Sequence, residues 1–214
     1  MLRNHFAWAL VLLSSEALAL GKVTFTQGDV TTLAMTASPQ KPLPVHKSHV
    51  IQPEHSYLTH ELSQAVIQFD DGTWVRVGAD TKFEVTELST GIEIRLQTGS
   101  LRVLFSPRLK QQSTDRRLKI RTLDGLIETS EAKFTVTFKP LFQQTSVYVE
   151  KGLVQFSGTT TLEEQLPETI HAGEFSEIVR SETLPRKGQR MTEREKEMIK
   201  DLLFSQLKNA KDKL

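Results

Sequence analysis

Four of the six histidines, His46, His49, His55 and His60, crowd into one short stretch of the chain. Neutral imidazole is a common ligand for zinc, copper or nickel, so a transition-metal site is one reading of them. No pair has the i, i+4 spacing that sets two rings on one helix face, and their surroundings read as loop and strand. Polar loop residues with local hydrogen bonds are therefore the other reading. Ser-x-x-Lys, which can pair a serine nucleophile with a lysine base, occurs at Ser38 to Lys41, Ser130 to Lys133 and Ser205 to Lys208. The recurrence weakens the pattern: Pro39 interrupts the first copy, the second falls in a strand region, and no Lys-Thr-Gly companion exists. Asp70 and Asp71 resemble an acid and base pair, but they precede Gly72 between two strands, where an Asx turn uses the same residues. No nucleophile, acid–base pair or metal set comes with the companions its chemistry needs. The sequence thus implies neither an enzyme nor a cofactor.

Residues suited to binding are better represented. Arg108, Lys110, Arg116 and Arg117 fall in the polar stretch from Ser106 to Arg117, which reads as an exposed loop. Such a loop is either simply solvated or a contact for an anionic glycan, lipopolysaccharide or an acidic protein face. Trp74, Arg76 and Arg102 sit on strand segments, and Trp and Arg are enriched where protein partners dock. The whole chain of 214 residues carries 27 basic and 26 acidic side chains, a formal charge of +1. That balance lacks the basic footprint of a nucleic-acid binder, and no nucleic-acid motif appears.

The elements that must position these residues are strands. Trp74 to Val77, Leu101 to Phe105, Phe134 to Phe138 and Val147 to Val149 alternate apolar with polar residues near period two. The alternation turns Arg76, Arg102, Thr135 and Thr137 toward water. Glycine turns at Gly72, Gly99, Gly125 and Gly152 recur at intervals of 27, 26 and 27 residues, each before an alternating segment. The spacing predicts an all-β domain over residues 20–180, a twisted β-solenoid-like or roll-like repeat with these glycines as its structural turns. An unrelated series of turns in a β-sandwich is the alternative. Val23 to Leu33 reads as an opening hairpin about Gly28, and the prolines between Ala34 and Val45 as a loop.

Both ends differ from this middle. Arg3, the apolar run from Phe6 to Leu13 and the small residues Ala17 and Ala19 form a signal-peptide pattern over residues 1–19, with cleavage expected after Ala19. Ser14, Ser15 and Glu16 break the apolar run short of a membrane span, so the expected location is periplasmic, with no transmembrane segment in the mature chain. The chain has no cysteine, which excludes disulfides, thiolate metal sites and an acylated N-terminal Cys. Residues 181–190 read as a linker. Residues 191–214 read as an amphipathic helix, opened by a capping box at Thr192 and Glu195 and striped by Met198, Ile199, Leu202, Leu203, Leu207 and Ala210. Such a helix packs back on the β-domain, docks on a partner or lies on a membrane surface, and the sequence leaves the three open.

Ala65 to Val77, with Phe69, Asp71-Gly72-Thr73 and Val75, resembles the Asp-Gly-Ser strand-turn-strand signature of FecR-type domains. Glu93 to Val103, Leu118 to Phe138, Val147 to Phe156 and Ile170 to Glu174 follow in the order of that family's later blocks. One departure is clear: Ala132-Lys133 stands where the family pattern has Gly-Thr. The resemblance covers roughly Gly21 to Val179. It implies a periplasmic β-rich domain that works by protein interaction and signalling in the envelope of a Gram-negative bacterium, with a periplasmic or outer-membrane protein as partner. The anti-sigma segment and membrane helix of the iron dicitrate regulator are not recognisable, so the chain is similar to stand-alone exported members. A cell-wall or polysaccharide binder that uses the basic loop is the alternative expectation.

Overall fold

The computed structural model describes residues 19–35, 41–105, 117–159, 166–179 and 184–197. Apart from a short 3-10 turn at Pro140–Phe142 and one helical turn at 193–197, these residues are strands and the turns that join them. The strands are β1 (Gly21–Gln27), β2 (Val30–Ala34), β3 (Leu43–Pro44), β4 (Val50–Ile51), β5 (His55–Thr59), β6 (Gln64–Phe69), β7 (Trp74–Val77) and β8 (Thr81–Leu88). They continue as β9 (Gly91–Phe105), β10 (Arg117–Arg121), β11 (Gly125–Thr129), β12 (Ala132–Lys139), β13 (Gln144–Gly158), β14 (Glu168–His171), β15 (Glu174–Val179) and β16 (Gln189–Arg190).

Hydrogen bonding sorts them into two layers. The front sheet runs β4-β1-β6-β7-β9-β12-β13-β15-β16. The back sheet runs β3-β2-β5-β8-β9-β10-β11-β13-β14. Two strands, β9 and β13, belong to both. The first half of β9 pairs in the back sheet and its second half in the front, while β13 passes the other way. Inward residues of the two layers meet in one core: Ile67, Val75, Val103, Phe134, Val136 and Val147 in front, Phe83, Ile94, Ile120, Ile127 and Phe156 behind. Each large apolar side chain so buried contributes about 1.5–3 kcal/mol, which lets a cysteine-free chain hold two sheets together.

The four regularly spaced glycines do three different jobs. Gly72 closes the β6–β7 hairpin at φ +92°. Gly99 and Gly152, at φ +93° and +82°, instead lie inside β9 and β13, where each strand changes sheet. At both, the neighbouring strand presses too close for a side chain: a Cβ on Gly99 would lie 2.2 Å from the Thr81 hydroxyl, and one on Gly152 would lie 2.5 Å from the Glu131 carbonyl oxygen. Gly125 opens β11 without positive φ and is needed because the Phe156 ring lies 2.7 Å from where its Cβ would be.

The stretch read as an opening hairpin is also a change of sheet. β1 pairs with β6 and β2 with β5, and Gly28 at φ +77° bends the chain between them against Ser63. Where Ala132-Lys133 replaces the glycine of the family pattern, the change of sheet at Ser130-Glu131 is held by a side chain. The Thr129 hydroxyl accepts the Glu131 N–H at 3.2 Å and donates to the Leu153 carbonyl at 2.9 Å. A threonine turn does there what glycine does elsewhere.

Candidate interaction surface

Cross-strand register builds one continuous row of outward residues across the front sheet: Phe25, Val66, Arg76, Arg102, Thr135, Tyr148 and Phe175. The neighbouring row is Lys22, Gln68, Trp74, Leu104 and Lys133. Three residues singled out from sequence, Trp74, Arg76 and Arg102, thus come together. With Val66, Leu104 and Lys133 they line a shallow groove of about 260 Å³. Leu104 in its wall is 44% exposed, a large apolar side chain that the fold leaves uncovered.

The groove is electrostatically lopsided. Arg76 and Arg102 are directly opposed on β7 and β9, a like-charge pairing that costs energy in a sheet. Burial, and then the Arg102 cation, lower the pKa of Arg76. The compensating anion is Glu150. Its carboxylate takes two hydrogen bonds from Arg102, Nε at 2.6 Å and Nη2 at 2.7 Å, and an ion pair from Lys133 at 3.0 Å. Burial by itself works to raise the Glu150 pKa, but the hydrogen bonds and charges of Arg102 and Lys133 outweigh it and hold the carboxyl below its ordinary range.

Thr135 departs from its expected exposure. It lies on the outward row yet is 4% exposed, and Tyr148 beside it is 5% exposed. The chain that follows the sheet accounts for part of this cover. Residues 184–190, read as linker from composition, run along the last strands. Arg186 donates its N–H to the Glu177 carbonyl at 2.9 Å, and β16 pairs with Glu174 and Phe175 of β15. Met191 then donates to the Gly173 carbonyl, and a helical turn begins. Its capping box is formed as read: Glu195 Oε2 accepts the Thr192 N–H at 2.8 Å, and the Thr192 hydroxyl accepts the Glu195 N–H at 3.4 Å. Burial raises the Tyr148 pKa, and the Lys196 ammonium nearby opposes that rise.

The other residues named from sequence are scattered. His46, His49 and His55 gather near Tyr57, whose ring stacks on Phe83 at 5.4 Å. Burial first, then the His55 and His46 charges, lower the His49 pKa. His60 stands apart beside Asp29, at 3.7 Å. Among the described residues no three His, Asp or Glu side chains come together in a metal-holding arrangement. The Asp71 carboxylate accepts the Thr73 N–H at 2.8 Å, the expected Asx turn, and Lys133 is engaged with Glu150. Arg108, Lys110 and Arg116 lie outside the described residues, as do residues 1–18, where a signal peptide is expected from sequence, and residues 198–214, where the rest of the amphipathic helix is expected. Arg117 is exposed at the start of β10 and donates its N–H to the Thr90 carbonyl.

Sequence comparison fits this architecture. A family profile described as FecR protein matches residues 55–155, from β5 to the second half of β13. Over residues 55–155 the chain is similar to the FecR family. The described strands extend this matched region on both sides, so β1, β2, β15 and β16 complete sheets whose middle it supplies. No curated protein matches the chain in sequence. Two crystal structures share the fold, each described as a "putative anti-sigma factor" from Parabacteroides distasonis. The first is 13% identical with a TM-score of 0.54, covering 68% of this chain and 64% of that one. The second is 14% identical with a TM-score of 0.50, covering 62% and 58%. The likeness spans less than two thirds of either neighbour's length. Among the described residues no helix is long and apolar enough to cross a membrane.

Proposed function

We propose that this FecR-domain chain is a non-enzymatic interaction and signalling module of the bacterial envelope, exported to the periplasm by residues 1–19, and that it engages a protein partner through the outer face of the front sheet. The observation that carries the reading is the groove itself. Trp74, Leu104 and Val66 offer apolar contact beside Arg76, Arg102 and Lys133, the pairing of aromatic and guanidinium groups found at binding hot spots. The FecR match and the fold of two anti-sigma neighbours support a regulatory part played through protein contact. Catalysis has no comparable support, because the Ser-x-x-Lys and Asp-Asp patterns that can be placed serve a salt bridge and a turn.

Site-specific photo-crosslinking in cells tests the proposal. A photoreactive residue at Leu104 is expected to capture a protein, with capture lost on Trp74→Ala or Arg102→Glu. The same probe at Leu126, on the outer face of the back sheet, should capture none. Equal capture at both positions, or binding of purified chain to peptidoglycan or lipopolysaccharide that depends on Arg108 and Arg116, overturns it in favour of a glycan binder. Mass spectrometry of the exported chain should find Leu20 as its first residue.

A further inference from the structure

The end of the sandwich away from the groove carries apolar side chains that the core does not use. β12 and β13 form a hairpin closed by the 3-10 turn Pro140–Phe142, and at its tip Leu141 is 94% exposed and Phe142 56%. Beside it stands the turn between β10 and β11, where Leu123 is 66% exposed. The two turns are tied at their bases, because the hydroxyls of Thr122 and Thr145 share a hydrogen bond of 2.6 Å. Lys133 in the groove wall and Lys139 before the tip lie at opposite ends of β12, so roughly 20 Å of strand separates the two places.

Both tips are held by their own hydrogen bonds. Pro140 has no N–H, and the Gln143 N–H is donated to the Pro140 carbonyl at 3.1 Å, with Gln143 itself in the left-handed region at φ +43°. On the other turn the Thr122 hydroxyl accepts the Gly125 N–H at 2.9 Å, and the Leu123 and Asp124 carbonyls accept the Thr159 hydroxyl and N–H at 2.6 and 3.0 Å. Leu123, Leu141 and Phe142 can therefore leave water while these backbone groups stay paired. What can take them up is limited by shape and area. Each stands on a convex turn, and three such side chains expose roughly 400 Å² together, about half of the ~800 Å² that each partner gives to a standard protein interface. A lipid surface requires neither a matching socket nor that area, because binding there scales with whatever apolar area enters the headgroup boundary plus the attraction of cations to anionic lipids. Lys139 is exposed directly before the tip, and Gln143 and Gln144 after it are uncharged. Glu177, beside Gln144, is paired with Arg186 at 2.6 Å. Asp124, the carboxylate beside Leu123, has its pKa raised by burial, which weakens its repulsion of an anionic surface as pH falls toward its range.

We propose that this end of the sandwich is a membrane-contact surface, with Leu123, Leu141 and Phe142 entering the headgroup layer of a phospholipid bilayer and Lys139 meeting its anionic lipids. The contact is a peripheral touch by two turns, not a span. It leaves the groove of Trp74 and Leu104 at the far end of β12, clear of the bilayer. No groove residue takes part, so the inference stands or falls apart from the proposed function.

Because the chain has no native cysteine, a probe can be placed at one residue at a time. In the full chain carrying Leu141→Cys labelled with an NBD fluorophore, vesicles of phosphatidylglycerol and phosphatidylethanolamine should shift the emission to the blue, and nitroxide-bearing lipid should quench it. The same label at Leu153→Cys, an exposed leucine at the opposite end, should do neither. Flotation of the unlabelled chain with these vesicles should fall at least about fivefold in L141D/F142D and about twofold in L123D and in K139E, while F142W floats as the native chain does. L141D/F142D should keep the native unfolding midpoint, since both side chains are exposed, which separates lost contact from lost fold. A label at position 141 that stays in water, equal shifts at both positions, or flotation of L141D/F142D equal to the native chain overturns the proposal. So does self-association of the lipid-free chain that L141D/F142D abolishes, which gives this end to a second copy. A protein photo-crosslinked from Leu141 in cells, with no shift of the label on vesicles, overturns it in favour of a protein partner. Vesicle contact absent with capture at Leu104 intact sinks this inference alone, and the reverse sinks the proposed function alone.

Discussion

The two outer faces of this sandwich share strands and core but handle charge in opposite ways. On the back sheet, Glu84 opposes Arg95 and Lys119 opposes Glu128 across neighbouring strands, and Arg121 reaches Glu93 at 3.3 Å. Arg95 and Arg121 are themselves opposed on β9 and β10, but each has a carboxylate of its own, Glu84 at 4.0 Å and Glu93 at 3.3 Å, so the charges of that face pair one to one in partly exposed pairs worth at most about 1 kcal/mol each. On the front sheet, Arg76 faces Arg102, Lys133 follows on the next strand, and one carboxylate, Glu150, serves both Arg102 and Lys133 among apolar neighbours. The contrast teaches that charge on the back face is settled pair by pair, while on the front face two cations share one carboxylate beside an exposed leucine.

The comparison breaks entirely if the strands common to both faces fail. Gly99→Val places a branched side chain at φ +93° and into Thr81, and should cost on the order of 3–5 kcal/mol, read as a collapse of the denaturant midpoint. Gly72→Ala meets only the conformational penalty of positive φ and should cost about 1–2 kcal/mol. The charge contrast itself is tested next. Glu150→Gln leaves Arg102 and Lys133 without their anion in a half-buried site and should lose about 2 kcal/mol, whereas Glu128→Gln on the back face should lose less than about 1 kcal/mol.

The pH dependence follows from the same carboxylate. Glu150 titrates lower in the folded chain than in the unfolded chain, so its contribution is complete above the unfolded carboxyl range. It is lost as pH falls through the folded value. Denaturation curves from neutral pH down into the acid range should show a loss that Glu150→Gln removes. The smallest effect on stability is expected from Trp74→Ala. Its half-exposed ring should cost about 1 kcal/mol or less while abolishing partner capture, a separation that a purely structural tryptophan would not show.

Local chemistry was legible from the sequence. The Asx turn at Asp71, the capping box at Thr192 and the period-two alternation that places Trp74, Arg76 and Arg102 on one face all depend on residues close in the chain, and all are present. Which sheet a strand joins was not legible. A glycine at positive φ closes a hairpin at Gly72 and carries a strand between layers at Gly99, and the same flanking pattern serves both because the difference lies in which distant strand accepts the hydrogen bonds. The hairpin expected over Val23 to Leu33 failed for this reason. Glu150 was missed because the arginine it holds is 48 residues away in sequence, a pairing that only register reveals. Thr135 looked solvent-facing because alternation assigns a side, and says nothing of what lies over it.

Strands that change layer also limit how the domain can move. Two sheets stacked face to face ordinarily can slide past one another by small steps, a common way for packed layers to relay a distant event. Here β9 and β13 are single continuous backbones woven through both layers. Displacing one layer along the other would tear ladder hydrogen bonds on either side of Gly99 and Gly152. Force applied at the groove is therefore carried by the whole body as a rigid lever, and any yielding must occur in segments outside the weave.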